Sequence, residues 1–560
     1  MWFEKEGHIQ IENGRLQFAG RDLETIAKEF NTPIYVCNLT RIKENYNRVK
    51  KTFQSYAIQG IDSKIYYAMK ANGAEEILHE LKTLDANIEV SSPSELKLLL
   101  KLGFDPKKIL FTGIGFGLHN TKILAESGAM INIDSFSQLK QFKEFAPLDI
   151  SIRLNPGITS GFNEHLEMSG EKFGAGKLGI HKDKIIDAYK TAKAYGLNPV
   201  GLHQHIGSNW FADKLSTFFK AVEIALDVVK ELKKHDIEIK QFNLGGGLGV
   251  RSSESLEEFP LDEYFKGIWD LIKKSNLTFE SVNIEPGRYI VADSSVLLAT
   301  ANMVEEKGGR NYIGLDCGFN AFNHKFLYGI EPEIINVSKF NGKELDNYCV
   351  VGYLGESGDM FAEQKILPIT EIGDVVALFP AGAYCASELA DFHMQQLPNS
   401  LFLENLNKEF NIFPYCKACP RNCCYIGAVN VLTSEYEKII ERTGRKDVFK
   451  AEDGYYIINK KKGEACPFLE KDGFTCSIQD IKPLDCQVWP IYLGKDGNIE
   501  DVSISHECPA SKFMDKSYID ELKQKLPLFP SELRKKFYDD LERFNYEVTP
   551  LKKADYDKRQ

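Results

Sequence analysis

The chain has 560 residues, and at about 150 residues per domain that length asks for three or four domains. Hydrophobic residues make up 43% and charged residues 27%, with 43 glycines and 21 prolines, which excludes wholesale disorder and collagen-like repeats. The formal charge of −11 gives no basic field for a phosphate backbone, so nucleic acid is excluded as a general partner.

The opening MWFEKEGHIQ places charges where a secretory signal needs an apolar stretch. No run approaches about 18 apolar residues, so the expectation is a cytoplasmic protein with no membrane partner. In HIQIENGRLQF, Asn-Gly stands between two alternating runs, a hairpin signal. Residues 1–30 are predicted as N-terminal strands that join a later β-domain.

Over residues 31–287 short β-rich runs alternate with helical-period segments, the pattern of a parallel sheet with crossover helices. The runs are KIYYAM (64–69), NIEVSS (87–92), KILFTG (108–113), MINIDS (130–135), ISIRLNP (151–157), VGLHQHIGS (200–208), FNLGGG (242–247) and SVNIEPG (281–287). Eight such βα units predict an α/β fold, a (β/α)8 TIM barrel. Residues 288–403 turn to strands without long helices and are predicted as a β-domain, a β-barrel or sandwich. Residues 404–512 hold eight of the twelve cysteines and are predicted as a small C-terminal cysteine-rich metal-binding domain, followed by a charged helical tail at 513–560.

Barrel enzymes place their chemistry at the C-terminal ends of the strands, and polar residues gather there. Lys70 closes the first run; Glu89 and Ser91 end the second, Asp134 the fourth, and Arg153 and Asn155 the fifth. His203, His205 and Ser208 end the sixth, Gly245, Gly246 and Gly247 the seventh, and Glu285 and Arg288 the eighth. Desolvation at an apolar strand end favours a neutral, nucleophilic Lys70 amine, although a lysine there also snorkels outward. The three glycines let backbone amides approach a phosphate, or simply form a tight turn. Glu285 can pair with a pyridinium nitrogen and Arg288 with phosphate.

YYAMKAN, HQHIGSN, NLGGGLG, EPGR, GESGD (355–359) and GAY (382–384), in that order, resemble the fold-type III pyridoxal phosphate-dependent decarboxylases, and within them the diaminopimelate decarboxylases. The resemblance covers roughly residues 10–400. It implies pyridoxal 5′-phosphate as cofactor, Lys70 as its Schiff-base lysine, His205 against its ring, and Ser208 with Gly245, Gly246 and Gly247 around its phosphate. It further implies Glu285 on the ring nitrogen, Arg288 and Tyr384 toward phosphate or substrate, and Glu356 at a substrate site shared across a homodimer.

Two positions depart from that pattern. The family's proton-donating cysteine, supplied by the partner subunit, falls at Gly355, which leaves Cys385 and Cys349 as candidate substitutes. An Arg-Pro pair expected before Leu-Tyr is His324-Lys325, and histidine does not reproduce the bidentate fork of arginine. Glu89 also replaces the usual aspartate. The expectation is therefore a decarboxylase for an amino acid other than meso-diaminopimelate, with His324, Arg288, Glu356 and Tyr384 toward the substrate. The alternatives are a racemase-like enzyme without decarboxylation, a cofactor-binding module, and a modifying enzyme for a carrier- or protein-bound substrate.

C-x2-C-x3-C-C covers Cys416, Cys419, Cys423 and Cys424, and Cys466, Cys476, Cys486 and Cys508 follow. Thiolates so spaced suit zinc or an iron–sulfur cluster. Residues 413–510 resemble a family described as a zinc- or iron-chelating cysteine-cluster domain, a label that leaves the metal open. The adjacent pair Cys423-Cys424 is awkward for one tetrahedral site and tilts the expectation to iron–sulfur.

Overall fold

The computed structural model describes residue 3 and residues 9–170, 175–404, 412–419, 423–425, 429–460, 463–471, 475–505, 508–535, 538 and 548–550. The chain divides into two compact units, one of residues 1–16 and 35–398, the other of residues 17–34 and 399–560.

The eight expected barrel strands are all present: Asp62–Ala68, Asn87–Val90, Ile109–Thr112, Met130–Ile133, Asp149–Asn155, Asn198–Gln204, Gln241–Asn243 and Ser281–Ile284. Each pairs in parallel with its neighbours, and the eighth closes on the first with Ile284 opposite Ile65. A two-residue strand that the sequence did not signal, Ile180–His181, adds beside the fifth, with Ile180 opposite Leu154. The inward and outward faces are both covered, so the strands read as nearly continuous apolar runs; Ile88, Val90, Ile131, Ile133, Ile150 and Ile152 are all fully buried.

Side-chain caps fix where two crossover helices begin. Ser92 Oγ accepts from Glu95 N (3.1 Å) at the start of helix Pro93–Lys101, and Glu95 Oε2 accepts from Ser91 N (2.6 Å). Ser135 and Gln138 repeat the device: Oγ accepts from Gln138 N (3.3 Å), and the Gln138 amide oxygen accepts from Asp134 N (2.6 Å). Both caps hold the residue that leaves a barrel strand, and therefore the rim of the barrel mouth.

The β-domain is one mixed sheet. Its path runs Glu333–Asn336, Val375–Phe379, Ser295–Lys307, Arg310–Leu315, Leu345–Val351 and Met360–Pro368, and Ile34–Asn38 also pairs with Ser295–Lys307. Only the Arg310–Leu315/Leu345–Val351 pair on that path is parallel. Its core packs Leu297, Ile313, Val350, Phe361, Val376 and Leu378.

The N-terminal hairpin differs from expectation. Its turn at Asn13 (φ 50°) and Gly14 (φ 75°) is as the Asn-Gly pair predicts, but Ile9–Glu12, Arg15–Phe18 and Arg21–Asp22 form a three-stranded sheet of their own. The strand that reaches the β-domain from this flank is Ile34–Asn38 instead.

Residues 17–34 cluster with the C-terminal segment. Arg21 Nε donates to the Tyr415 hydroxyl (2.7 Å), Arg21 Nη1 to the Glu404 carbonyl (3.0 Å), and Phe30 packs on Tyr415 and Phe513 with ring centroids 5.9 and 6.1 Å away. In the same unit, Val429–Leu432, Tyr455–Ile458 and Phe449–Glu452 form an antiparallel sheet over a core of Val431, Ile439, Val448, Ile458, Phe468 and Ile478. The charged tail contains helix Lys516–Lys525; residues 536–537, 539–547 and 551–560 of it lie outside the described residues. Among the described residues no helix is long and apolar enough to cross a membrane.

Candidate active site at the barrel mouth

Lys70 lies on the single turn Met69–Ala71 that ends the first barrel strand, with 39% of its side chain exposed toward the mouth. Its Nζ donates to Glu89 Oε2 (2.5 Å) and to Ser91 Oγ (3.3 Å), and Ser91 Oγ donates to Glu89 Oε1 (3.0 Å). Desolvation works against the ammonium, but Glu89, Tyr384 and Glu285 outweigh it and raise the Lys70 pKa. With part of the side chain open to water, these charges decide. The neutral lysine expected from strand-end desolvation is therefore corrected: without a reaction partner Lys70 is an ion-paired cation. Glu89 is fully buried, and burial pushes its carboxyl up to about 7 against the pull of Lys70.

A second carboxylate answers the first. Glu285, at the end of the eighth strand, lies 3.3 Å from His203 Nε2 and accepts from Asn243 Nδ2 at 2.8 Å. Burial alone would raise it, but His203, Lys70 and His205 hold it down at about 2. Two buried carboxyl groups in one mouth are thus driven apart, one near neutrality and one firmly ionised, the arrangement that separates proton-handling from charge-holding roles.

His205 Nδ1 accepts from the Gly246 amide (3.3 Å), which pins the ring, and burial with Arg153 and Lys70 nearby lowers its pKa to about 3, so it is neutral at physiological pH. Arg153 lies 3.6 Å from Asp134 Oδ2. The glycine run is explained first by the turn itself. Gly245 (φ 70°) and Gly247 (φ 104°) are left-handed, and a Cβ on Gly246 would sit 2.1 Å from the Glu285 carbonyl oxygen. Gly245 N is committed to Asn243 Oδ1 (2.9 Å), so two of the three glycine amides serve side chains of the site. Ser208 is half-buried, and its backbone joins Leu166 and Phe162.

Arg288 opens a short helix and is buried, its guanidinium 4.7 Å from the Tyr384 ring centroid. Its Nε has no hydrogen-bond partner among the described residues, and neither has His203 Nδ1. Such polar atoms in a protein wall mark a place built for a polar guest. Tyr384 reaches this wall because its backbone is left-handed (φ 57°) and its N–H donates to the Ala71 carbonyl (2.8 Å). A Cβ on Gly382 would sit 1.7 Å from the Val291 carbonyl oxygen, so the turn tolerates only glycine there.

Four expected site residues stand apart from this group. Cys385 is 1% exposed within the β-domain core, beside Tyr35 and Cys317, with its sulfur 3.3 Å from His324 Nε2. Burial raises its thiol pKa far above the ordinary value. Its enclosure in that core, rather than its acidity, corrects the assignment as catalytic acid: it packs as a small apolar side chain. Cys349 is likewise buried, against Met360 (3.5 Å). His324 is buried, with Nε2 2.8 Å from the Ala383 carbonyl, and burial beside Arg288 lowers it to about 3. It is therefore neutral and fixed, and no cation stands at this position. Glu356 is exposed, on a loop held by Asp359, which accepts from Leu354 N (2.7 Å) and Phe319 N (2.6 Å). Gly355 is equally exposed.

Asn243 was missed by sequence reasoning, as was the contact of His203 with Glu285. The signal was available, since Asn243 is the last residue of a barrel strand, with only Leu244 between it and the glycine run.

The eight clustered cysteines all belong to the described residues. Cys419 acts on Cys416 and Cys508, Cys416 also acts on Cys508, and Cys424 acts on Cys416, Cys466, Cys476 and Cys486. Cys466 N also donates to the Cys424 carbonyl (2.9 Å). Among the described residues no group of three or more His, Cys, Asp or Glu side chains is set to hold a metal ion.

Comparison with known proteins agrees with this geometry. The family model described as "Pyridoxal-dependent decarboxylase, pyridoxal binding domain" matches residues 39–292, the barrel. Diaminopimelate decarboxylase of Methanothermobacter thermautotrophicus is 34% identical over 394 residues, 69% of this chain and 90% of that one. The Campylobacter jejuni protein of the same name is 31% identical over 390 residues, 68% of this chain and 93% of that one. Among solved structures, Helicobacter pylori diaminopimelate decarboxylase complexed with L-lysine superposes with a TM-score of 0.63 at 28% identity, covering 68% of this chain and 94% of that one. The M. jannaschii diaminopimelate decarboxylase in complex with L-lysine gives 0.66 at 28% identity, covering 71% and 92%. The chain belongs to the pyridoxal phosphate-dependent decarboxylases, carbon–carbon lyases of amino-acid metabolism.

Proposed function

We propose that this chain decarboxylates an amino acid other than meso-diaminopimelate. The observation that carries the reading is His324. The sequence resemblance calls for a guanidinium at this position, and here stands a buried imidazole 2.8 Å from the Ala383 carbonyl, which lacks the bidentate fork that clasps a carboxylate. The substrate's far end is then neutral, modified or joined to a carrier. An amino-acid panel assayed for released CO2 tests this, and formation of lysine from diaminopimelate at an ordinary enzymatic rate overturns it.

The unpartnered Arg288 Nε, the glycine turn and the ionised Glu285 fit pyridoxal phosphate. Lys70 would hold it covalently, Glu285 its ring nitrogen, His205 a ring face, and Ser208, Gly247 and Arg288 its phosphate side, with Tyr384 nearby. When bound, the cofactor supplies an electron sink for the pair left by departing CO2. The protein's share is electrostatic and positional. Glu285 remains ionised through its contacts with His203 and Asn243, the Gly246 amide keeps His205 in place, and Arg288 adds positive charge beside Tyr384. A visible absorbance band lost in Lys70→Ala tests the cofactor assignment.

Two further parts of the reading concern assembly. The exposed loop carrying Gly355 and Glu356 would complete the site of a second copy, making a homodimer, which light scattering measures. The eight cysteines would bind zinc or an iron–sulfur cluster, supported by their spacing in the sequence; elemental and acid-labile sulfide analysis of anaerobically purified protein distinguishes the two.

A further inference from the structure

The Lys70–Glu89–Ser91 triangle has chemistry of its own. A lysine attacks a carbonyl only after its ammonium has lost a proton, and the closest base is Glu89 Oε2, 2.5 Å from Nζ in the direction of the hydrogen bond. The other carboxylate of the mouth, Glu285, is occupied by His203 at 3.3 Å and Asn243 at 2.8 Å. Ser91 Oγ fixes the Glu89 carboxyl by donating to Oε1 at 3.0 Å, and the cap of helix Pro93–Lys101 fixes Ser91 through its backbone N–H.

We infer that Glu89 is the proton acceptor for Lys70 and afterwards holds that proton as a buried carboxylic acid beside the reacting nitrogen. One N–H bond breaks, one O–H bond forms, and the electron pair stays on nitrogen for attack on an aldehyde, whose oxygen leaves as water with the two remaining N–H hydrogens, so no further reactant is consumed. The inference rests on the cofactor reading above, because covalent engagement by an aldehyde is what removes the Lys70 cation. Once that cation is gone, an ionised Glu89 at 0% exposure would be a buried, unpaired charge, and protonation relieves it. The groups facing Glu89 agree. Lys70 favours the carboxylate, Glu285 and Glu95 disfavour it, and Arg153 and Tyr384 stand within electrostatic reach.

Infrared difference spectroscopy of the full chain, with minus without pyridoxal phosphate, reads the proton directly. A protonated-carboxyl C=O band should appear on loading, shift in D2O, be absent in Glu89→Gln, and move in Ser91→Ala, which removes its hydrogen-bond donor. Borohydride-trapped attachment of the cofactor to Lys70, followed by mass spectrometry, should slow at least about tenfold in Glu89→Gln. Circular dichroism establishes that Glu89→Gln folds; if it does not, the band shift in Ser91→Ala decides, and an unmoved band overturns the inference. Visible absorbance of bound cofactor without a carboxyl band, or with a band unchanged in Glu89→Gln, overturns this inference alone. Absence of cofactor uptake by the native chain overturns it together with the cofactor reading.

Discussion

Asn243 holds Glu285 with a 2.8 Å hydrogen bond between two buried side chains. Asn243→Leu removes the donor and leaves a buried carboxylate oxygen under-satisfied, at about 1–3 kcal/mol. CO2 release should fall about tenfold or more, measured as kcat/KM on the substrate that the panel identifies. The two depressed histidines give a pH signature. His205 and His324 bind protons only near pH 3 when folded, whereas in the unfolded chain they bind them near their ordinary pKa of 6.5. Below pH 6.5 the unfolded state therefore carries more protons, and stability falls with acidity at about 1.4 kcal/mol per pH unit for each. Urea midpoints between pH 7.5 and 4.5 check this, and His324→Asn should lower the slope by about 1 kcal/mol per pH unit. At this scale the sequence indicated which residues end the strands, but not which way they face. Tyr384 and Cys385 are adjacent in the chain, yet one meets Arg288 and the other the β-domain core, because the left-handed backbone at Tyr384 turns them apart.

Among the elements, the barrel strands were legible because each is a short apolar run ended by polar or glycine residues, and the helices between them carry the 3.6-residue period. Ile180–His181 was not, since two residues have no periodicity to show. The caps were equally hidden, although they do mechanical work for the site. Ser92→Ala removes the N-cap of Pro93–Lys101, at about 1 kcal/mol. Loosening that turn frees Ser91, so we expect a lower thermal midpoint together with faster loss of pyridoxal phosphate on dialysis. Ser135→Ala, at the matching cap beside Asp134, should cost similar stability while leaving cofactor retention nearer to native.

For the molecule as a whole, the partnership of residues 17–34 with the C-terminal segment had no sequence signal, because pairings hundreds of residues apart leave no local pattern. Its energetics are ordinary. Helix Leu23–Phe30 buries Leu23, Ile26, Ala27 and Phe30, and burying a side chain the size of Phe30 is worth about 2 kcal/mol. A fragment of residues 399–560 should therefore melt at a lower temperature and less cooperatively than the same unit supplied with a peptide of residues 17–34, as scanning calorimetry would show.

That arrangement also sets a schedule during synthesis. Phe30 leaves the ribosome 483 residues before Phe513, which at about 5–20 residues per second is roughly 25–100 s. For all of that time the apolar face of helix Leu23–Phe30 waits without its final neighbours while the barrel between them is translated and folds. Nascent chains stalled before residue 415 should consequently expose a greasy helix near their own beginning, a handle for chaperones that finished protein no longer offers.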